Sequence, residues 1–114
     1  MKNSQALRRG DIYLVSLDPT AGHEQRGSRP VLVVSPDKFN AATQLPVVVP
    51  ITNGGDFARR LGFVVEITGI KTTGFIRCDQ PRALDLSARA ARKVDTLPAE
   101  IMEDVLAKMA TLFE

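Results

Sequence analysis

The stretch "RPVLVVSPDKFNAATQLPVVVPITNGG" (residues 29–55) contains two short, almost unbroken valine runs. A strand with one wet face alternates apolar and polar residues, so runs without that alternation predict short strands covered on both faces. Between them, "PDKFNAA" reads as a turn or a single helical turn. Upstream, "DIYLVSL" (11–17) is rich in β-formers, and residues 18–29 hold one Pro, two Gly and several small polar residues, the composition of a loop between strands. Downstream, "NGGDFARR" (53–60) reads as another loop, "GFVVEI" (62–67) and "TGFIRCDQ" (73–80) as strands, and residues 81–95 as a bend and a last strand. Short strands with closely spaced turns predict a small, strongly bent barrel.

The period changes at the end of the chain. In "PAEIMEDVLAKMATLFE" (98–114), Pro98 suits the first helical position, and Glu100, Glu103 and Asp104 lie near the positive end of the helix dipole. Ile101, Val105, Met109 and Leu112 form one stripe with Met102, Leu106 and Phe113 beside it, which predicts an amphipathic helix docked on the barrel.

The 114 residues suit one domain, with residues 1–8 as a flexible extension. Apolar content of 44% and charged content of 25% exclude wholesale disorder. No apolar run reaches the length that crosses a bilayer, and no hydrophobic segment follows the basic N-terminus as a secretory signal requires. The single Cys78 forms no internal disulfide and fits a reducing cytoplasm. One His and one Cys assemble no zinc-binding spacing. Net charge is only +2, yet residues 1–94 carry 14 Lys/Arg against 8 Asp/Glu, whereas residues 95–114 carry 1 against 5. A basic, arginine-dominated body beside an acidic tail fits a polyanion partner, and also an ordinary mixed surface.

Four polar clusters fall at strand ends or in loops: "GHEQRGSRP" (22–30), "PITNGG" (50–55), "DFARR" (56–60) and "RCDQPR" (77–82). On a strand, Arg77 and Asp79 point to the same face. Such a pair reads either as a solvated ion pair or as a compact unit for phosphate chemistry, the cation holding an anion while the carboxylate handles a proton. His23 is either a surface residue or the side chain whose ordinary pKa best suits proton transfer near neutrality. Thr52 and Asn53, leaving a strand, read as turn formers unless something binds there.

Taken together and in order, "RGDIYLVSLDPTAGHEQRGSRPVLVVSP", "LPVVVPITNGGDFAR", "TTGFIRCDQPRALD" and the terminal helix resemble the MazF/PemK family of bacterial toxins, nearest its PemK (Kid) branch. The resemblance implies an SH3-like barrel with a C-terminal helix. It implies a homodimeric, sequence-specific endoribonuclease that cuts single-stranded RNA, chiefly mRNA, and so halts translation. A cognate PemI/MazE-like antitoxin would neutralise it by covering the RNA-binding surface. The functional residues of the PemK branch fall on His23, Arg77 and Asp79, and those of other branches on Arg29 and Thr52. Asn53, Gln25 and Gln80 then read as further groups positioning the RNA. The implied chemistry is transesterification to a 2′,3′-cyclic phosphate and a 5′-hydroxyl, with no metal or cofactor. Asn53 departs from the serine of the PemK pattern, and the segment from Glu66 to Lys71 is slightly shorter, which puts the recognised sequence in question more than the chemistry. The rival reading is a CcdB-like gyrase poison on the same fold, a protein-binding toxin with no need of an Arg–Asp pair near a histidine. A non-catalytic RNA-binding module is the weaker rival.

Overall fold

A computed structural model describes residues 6–16, 28–54, 60 and 62–114. The strands are β1 (Asp11–Ser16), β2 (Ser28–Val33), β3 (Val47–Thr52), β4 (Val64–Glu66), β5 (Phe75–Arg77), β6 (Arg82–Ala83) and β7 (Arg92–Thr96). Helix α1 (Asp37–Thr43) joins β2 to β3, and α2 (Ala99–Ala110) follows β7 and ends in a 3-10 turn at Thr111–Phe113. The strands pair in the order β4-β5-β3-β2-β1-β7, all antiparallel, with β6 also on β3.

The valine runs are buried on both faces, as their lack of alternation requires. Leu32 and Val34, with Val49 and Ile51, turn into one cluster with Ile12, Ile76, Leu97, Met102 and Val105. Val31, Val33 and Val48 turn the other way, onto Tyr13, Val15, Leu84 and Leu86. Helix α2 caps the first cluster through Met102 and Val105, with Ile101, Leu106 and Met109 packed beside them. The 84–91 segment covers the second cluster through Leu84, Leu86 and Ala91. Tyr13 carries its hydroxyl into that second cluster, where it finds no hydrogen-bond partner among the described residues.

Four details differ from the sequence-based expectations. The sheet is not a closed barrel: among the described residues no ladder joins β4 to β7, the two ends of the strand order. Three residues of β4 offer too short an edge, and the ends are tied instead by Thr72, whose backbone N and Oγ1 both donate to Asp95 Oδ2 at 2.9 Å. Pro98 sits at the N-cap rather than inside α2, and Phe113 is 84% exposed rather than part of the packed stripe. The segment expected to be a turn or a single helical turn is a seven-residue helix, preceded by Pro36 in extended geometry and closed by Gln44 in the left-handed region.

That short helix exists to carry Asn40 inward. Asn40 is 0% exposed, and its Nδ2 donates to Leu7 O (2.9 Å) and Ser35 O (3.1 Å). The Ser35 hydroxyl donates to Asn40 Oδ1 and accepts from Val47 N at 2.9 Å. One amide therefore ties the N-terminal segment, the end of β2 and the start of β3. Its removal strands several buried polar groups, each costing about 1–3 kcal/mol. Asn40→Ala is expected to destabilise the fold by roughly 3 kcal/mol, read as a lowered urea midpoint with unchanged slope.

Candidate functional site

The site is organised by β3. Val47 O accepts from Val34 N, so Val47, Val49 and Ile51 turn their backbone groups to β2. Val48, Pro50 and Thr52 turn theirs to the opposite edge. That edge has two partners: β6 at Val47 and Val48, and β5 at Ile51 and Thr52. Pro50 falls in the gap between them, where its missing N–H deprives no ladder, the setting in which a strand interior tolerates proline.

Registers then set the functional groups on one face. Val31 pairs with Pro50, and two further residues in that register bring Arg29 level with Thr52. Thr52 pairs with Phe75, and two residues along β5 is Arg77, level with Pro50. All of these share the face of Val31 and Val48. Val64 lies across from Arg77 on β4, and Arg82 pairs with Val48.

Beyond β5 the chain turns, Gln80 N donating to Arg77 O at 3.2 Å. Cys78, 0% exposed in the first cluster, pins that turn from inside and leaves Arg77 and Asp79 on the outer face. Arg77 Nε donates to Asp79 Oδ1 (3.0 Å) and Nη2 to Oδ2 (2.9 Å), a two-pronged pair with each side chain 21% exposed. The hydrogen bonds from Arg77, foremost, hold the Asp79 carboxyl below its ordinary value against the opposing effect of burial. Reciprocally, hydrogen bonding to Asp79 raises Arg77 further, so its guanidinium is a fixed cation and not a proton donor. Burial pushes the Cys78 thiol up to about 11, leaving a packing group and no nucleophile.

Of the residues expected from sequence, the structure brings Arg29, Thr52, Arg77 and Asp79 to one face, with Gln80 in the turn and exposed Asn53 just past β3. His23 and Gln25 lie outside the described residues. Two contributors escaped the sequence reading. Gly74 has φ +128°, and a Cβ there would stand 2.7 Å from Thr52 O and 3.3 Å from Asn53 Oδ1, so only glycine lets β5 approach the end of β3. The signal available was a glycine immediately before a strand. Arg82, at the end of "RCDQPR", faces the same site from β6, with Gln80, Val31, Val48 and Pro50 around one cleft.

The chain is thus a small β fold with a C-terminal helix, carrying an Arg–Asp pair on a face shared with Arg29 and Arg82. Residues 8–113 match the family described as the PemK-like, MazF-like toxin of type II toxin–antitoxin systems, and the chain belongs to that family. It is 53% identical to the endoribonuclease PemK of Escherichia coli, over 98% of this chain and 86% of that protein. It is 38% identical to the endoribonuclease toxin ChpB of Escherichia coli strain K12, over the whole of both. Among solved structures it is similar to a MazE–MazF crystal structure from Deinococcus radiodurans, with TM-score 0.82, 30% identity and coverage of 96% and 97% of the two chains.

Gly74→Ala forces a side chain into the β3 backbone and is expected to lower stability by about 1–3 kcal/mol, with the largest amide shift changes at Thr52 and Asn53. Because Asp79 titrates lower folded than unfolded, its pairing adds stability at neutral pH that is lost as pH falls through the acid range. The stability difference between the parent and Asp79→Asn, of order 1 kcal/mol or less, should therefore shrink below about pH 4. In Arg77→Ala the Asp79 carboxyl should titrate upward, readable by carboxyl carbon NMR.

Proposed function

We propose that this chain is the toxin of a type II toxin–antitoxin system, a sequence-specific endoribonuclease that cleaves single-stranded RNA and stops translation. The observation that carries the reading is the paired Arg77 and Asp79 on the face shared with Arg29 and Thr52, in a member of this toxin family. Its relatives bear endoribonuclease names, and solved neighbours include MazE–MazF complexes, which supports a PemI/MazE-like antitoxin as its partner. In this reading the toxin works as a cytoplasmic homodimer. No helix among the described residues is long and apolar enough to cross a membrane.

In this mechanism Asp79 takes the proton of the ribose 2′-hydroxyl, the 2′-oxygen attacks phosphorus, and the bond from phosphorus to the 5′-oxygen breaks. His23 returns a proton to that departing oxygen, leaving a 2′,3′-cyclic phosphate and a 5′-hydroxyl. Arg77 stabilises the extra negative charge of the phosphorane. Arg29, Thr52, Asn53, Gln25 and Gln80 position the strand. A carboxylate locked to Arg77 is a weak base, so arrival of the RNA is part of the chemistry. The scissile phosphate claims the guanidinium fork, and the freed Asp79 carboxyl moves up toward a value suited to proton abstraction.

Incubation with a long unstructured RNA in excess EDTA tests this directly: the expected fragments end in cyclic phosphate and 5′-hydroxyl. Intact RNA would overturn the nuclease reading, and 3′-hydroxyl ends the mechanism. Asp79→Ala, Arg77→Ala and His23→Ala should each slow single-turnover cleavage by roughly a hundredfold or more.

A further inference from the structure

Among the described residues, nothing fills the gap that Pro50 opens between β5 and β6. Val31, Val48, Pro50, Gln80 and Arg82 line a cleft of about 160 Å³ there. Clefts that take drug-sized ligands begin near 300 Å³, so this one suits a single planar ring. Its floor is apolar: Val31 and Val48 belong to the buried core, and Pro50 lies between them and Arg77. The exposed side chains of Gln80 and Arg82 supply the polar groups. Asp79, beside Gln80 in the same turn, is held by Arg77, so the cleft adjoins the place assigned to the phosphate.

An apolar floor with an amide and a guanidinium at the mouth fits an unstacked nucleobase, its ring against Pro50 and its edge toward the side chains. An arginine offers only donors, so it selects an edge that presents acceptors, carbonyl oxygens foremost. We infer that this cleft is a nucleobase pocket next to the scissile phosphate, in which Arg82, helped by Gln80, selects a base with a carbonyl where cytosine and adenine carry an amino group, namely uracil (O4) or guanine (O6), at one position of the RNA. The inference rests on the endoribonuclease reading for its ligand, and it adds a specificity residue to that site.

Binding separates the two. Single-stranded RNA hexamers carrying A, C, G or U at each position in turn are titrated against the full chain with Asp79→Asn to arrest turnover. The same chain with Arg82→Ala or Gln80→Ala added is the comparison. At one position uracil or guanine should be preferred over cytosine and adenine about tenfold or more, and Arg82→Ala should flatten that preference to near twofold while leaving preferences elsewhere in place. Gln80→Ala should weaken the same position and no other. Both side chains are exposed, so the unfolding midpoints should stay with the parent. An equal loss of affinity for every hexamer would make Arg82 a phosphate contact and overturn the pocket, and so would unchanged discrimination. If the parent cuts RNA but Arg82→Ala keeps its preferences, the pocket alone fails. If Arg82→Ala flattens one position while the parent leaves RNA intact, the nuclease reading alone fails.

Discussion

Everything in this molecule is measured from β3. It is buried on both faces and paired along both edges, with β2 on one side and β6 and β5 sharing the other. A strand held in four directions has no freedom to slip, because a one-residue shift would exchange Val48 and Val49 between the two clusters. The groups of the site are its neighbours at fixed spacings: Arg29 across one edge, Arg77 across the other, Thr52 at its end and Arg82 beside Val48. Rigid backbone, rather than loop geometry, sets the distance between the cation and the groups around it.

The polar groups follow a division of labour. Asn40 and Ser35 are fully enclosed and satisfied, and they lock the β2–β3 connection at the end of β3 away from Thr52. Asp11 is also buried and is met by Lys93 at 3.3 Å, which ties β1 to β7. Those interactions hold the frame. Arg77 and Asp79 are only partly enclosed, so their mutual attraction contributes little to stability, and they remain open to an incoming ligand. The inert Cys78 beneath them belongs to the frame.

Much of the architecture was legible because burial leaves a strong mark on composition. Valine runs without alternation announced strands covered on both sides, and the stripe of Ile101, Val105 and Met109 announced the terminal helix. Arg77 and Asp79 do pair, as expected, but not through a strand's period of two: β5 ends at Arg77, and the turn that follows brings Asp79 back to it. What was not legible depends on contacts between distant segments. Nothing local reports that Asn40 reaches Leu7, so a polar "PDKFNAA" read as a turn or a single helical turn, shorter than the seven-residue helix that carries the buried amide. A closed barrel was expected from short strands and closely spaced turns, and the brevity of β4 left that join to Thr72 and Asp95. Gly74 and Arg82 matter only through their neighbours on β3, which the order of residues along the chain does not display.

The occupied fork also bears on selectivity among anions. A guanidinium standing alone would accept any phosphate, sulfate or nucleotide that passed. Here the Nε–Nη2 fork is already given to a carboxylate by two hydrogen bonds, and a small anion that takes that fork brings nothing else with which to offset their loss. In the proposed reaction an RNA strand does, because it would reach Arg29 and Thr52, which share that face, in the same event. On the proposed mechanism, Asp79 acts as a built-in competitor that sets a threshold of simultaneous contacts, and mononucleotides fall below it.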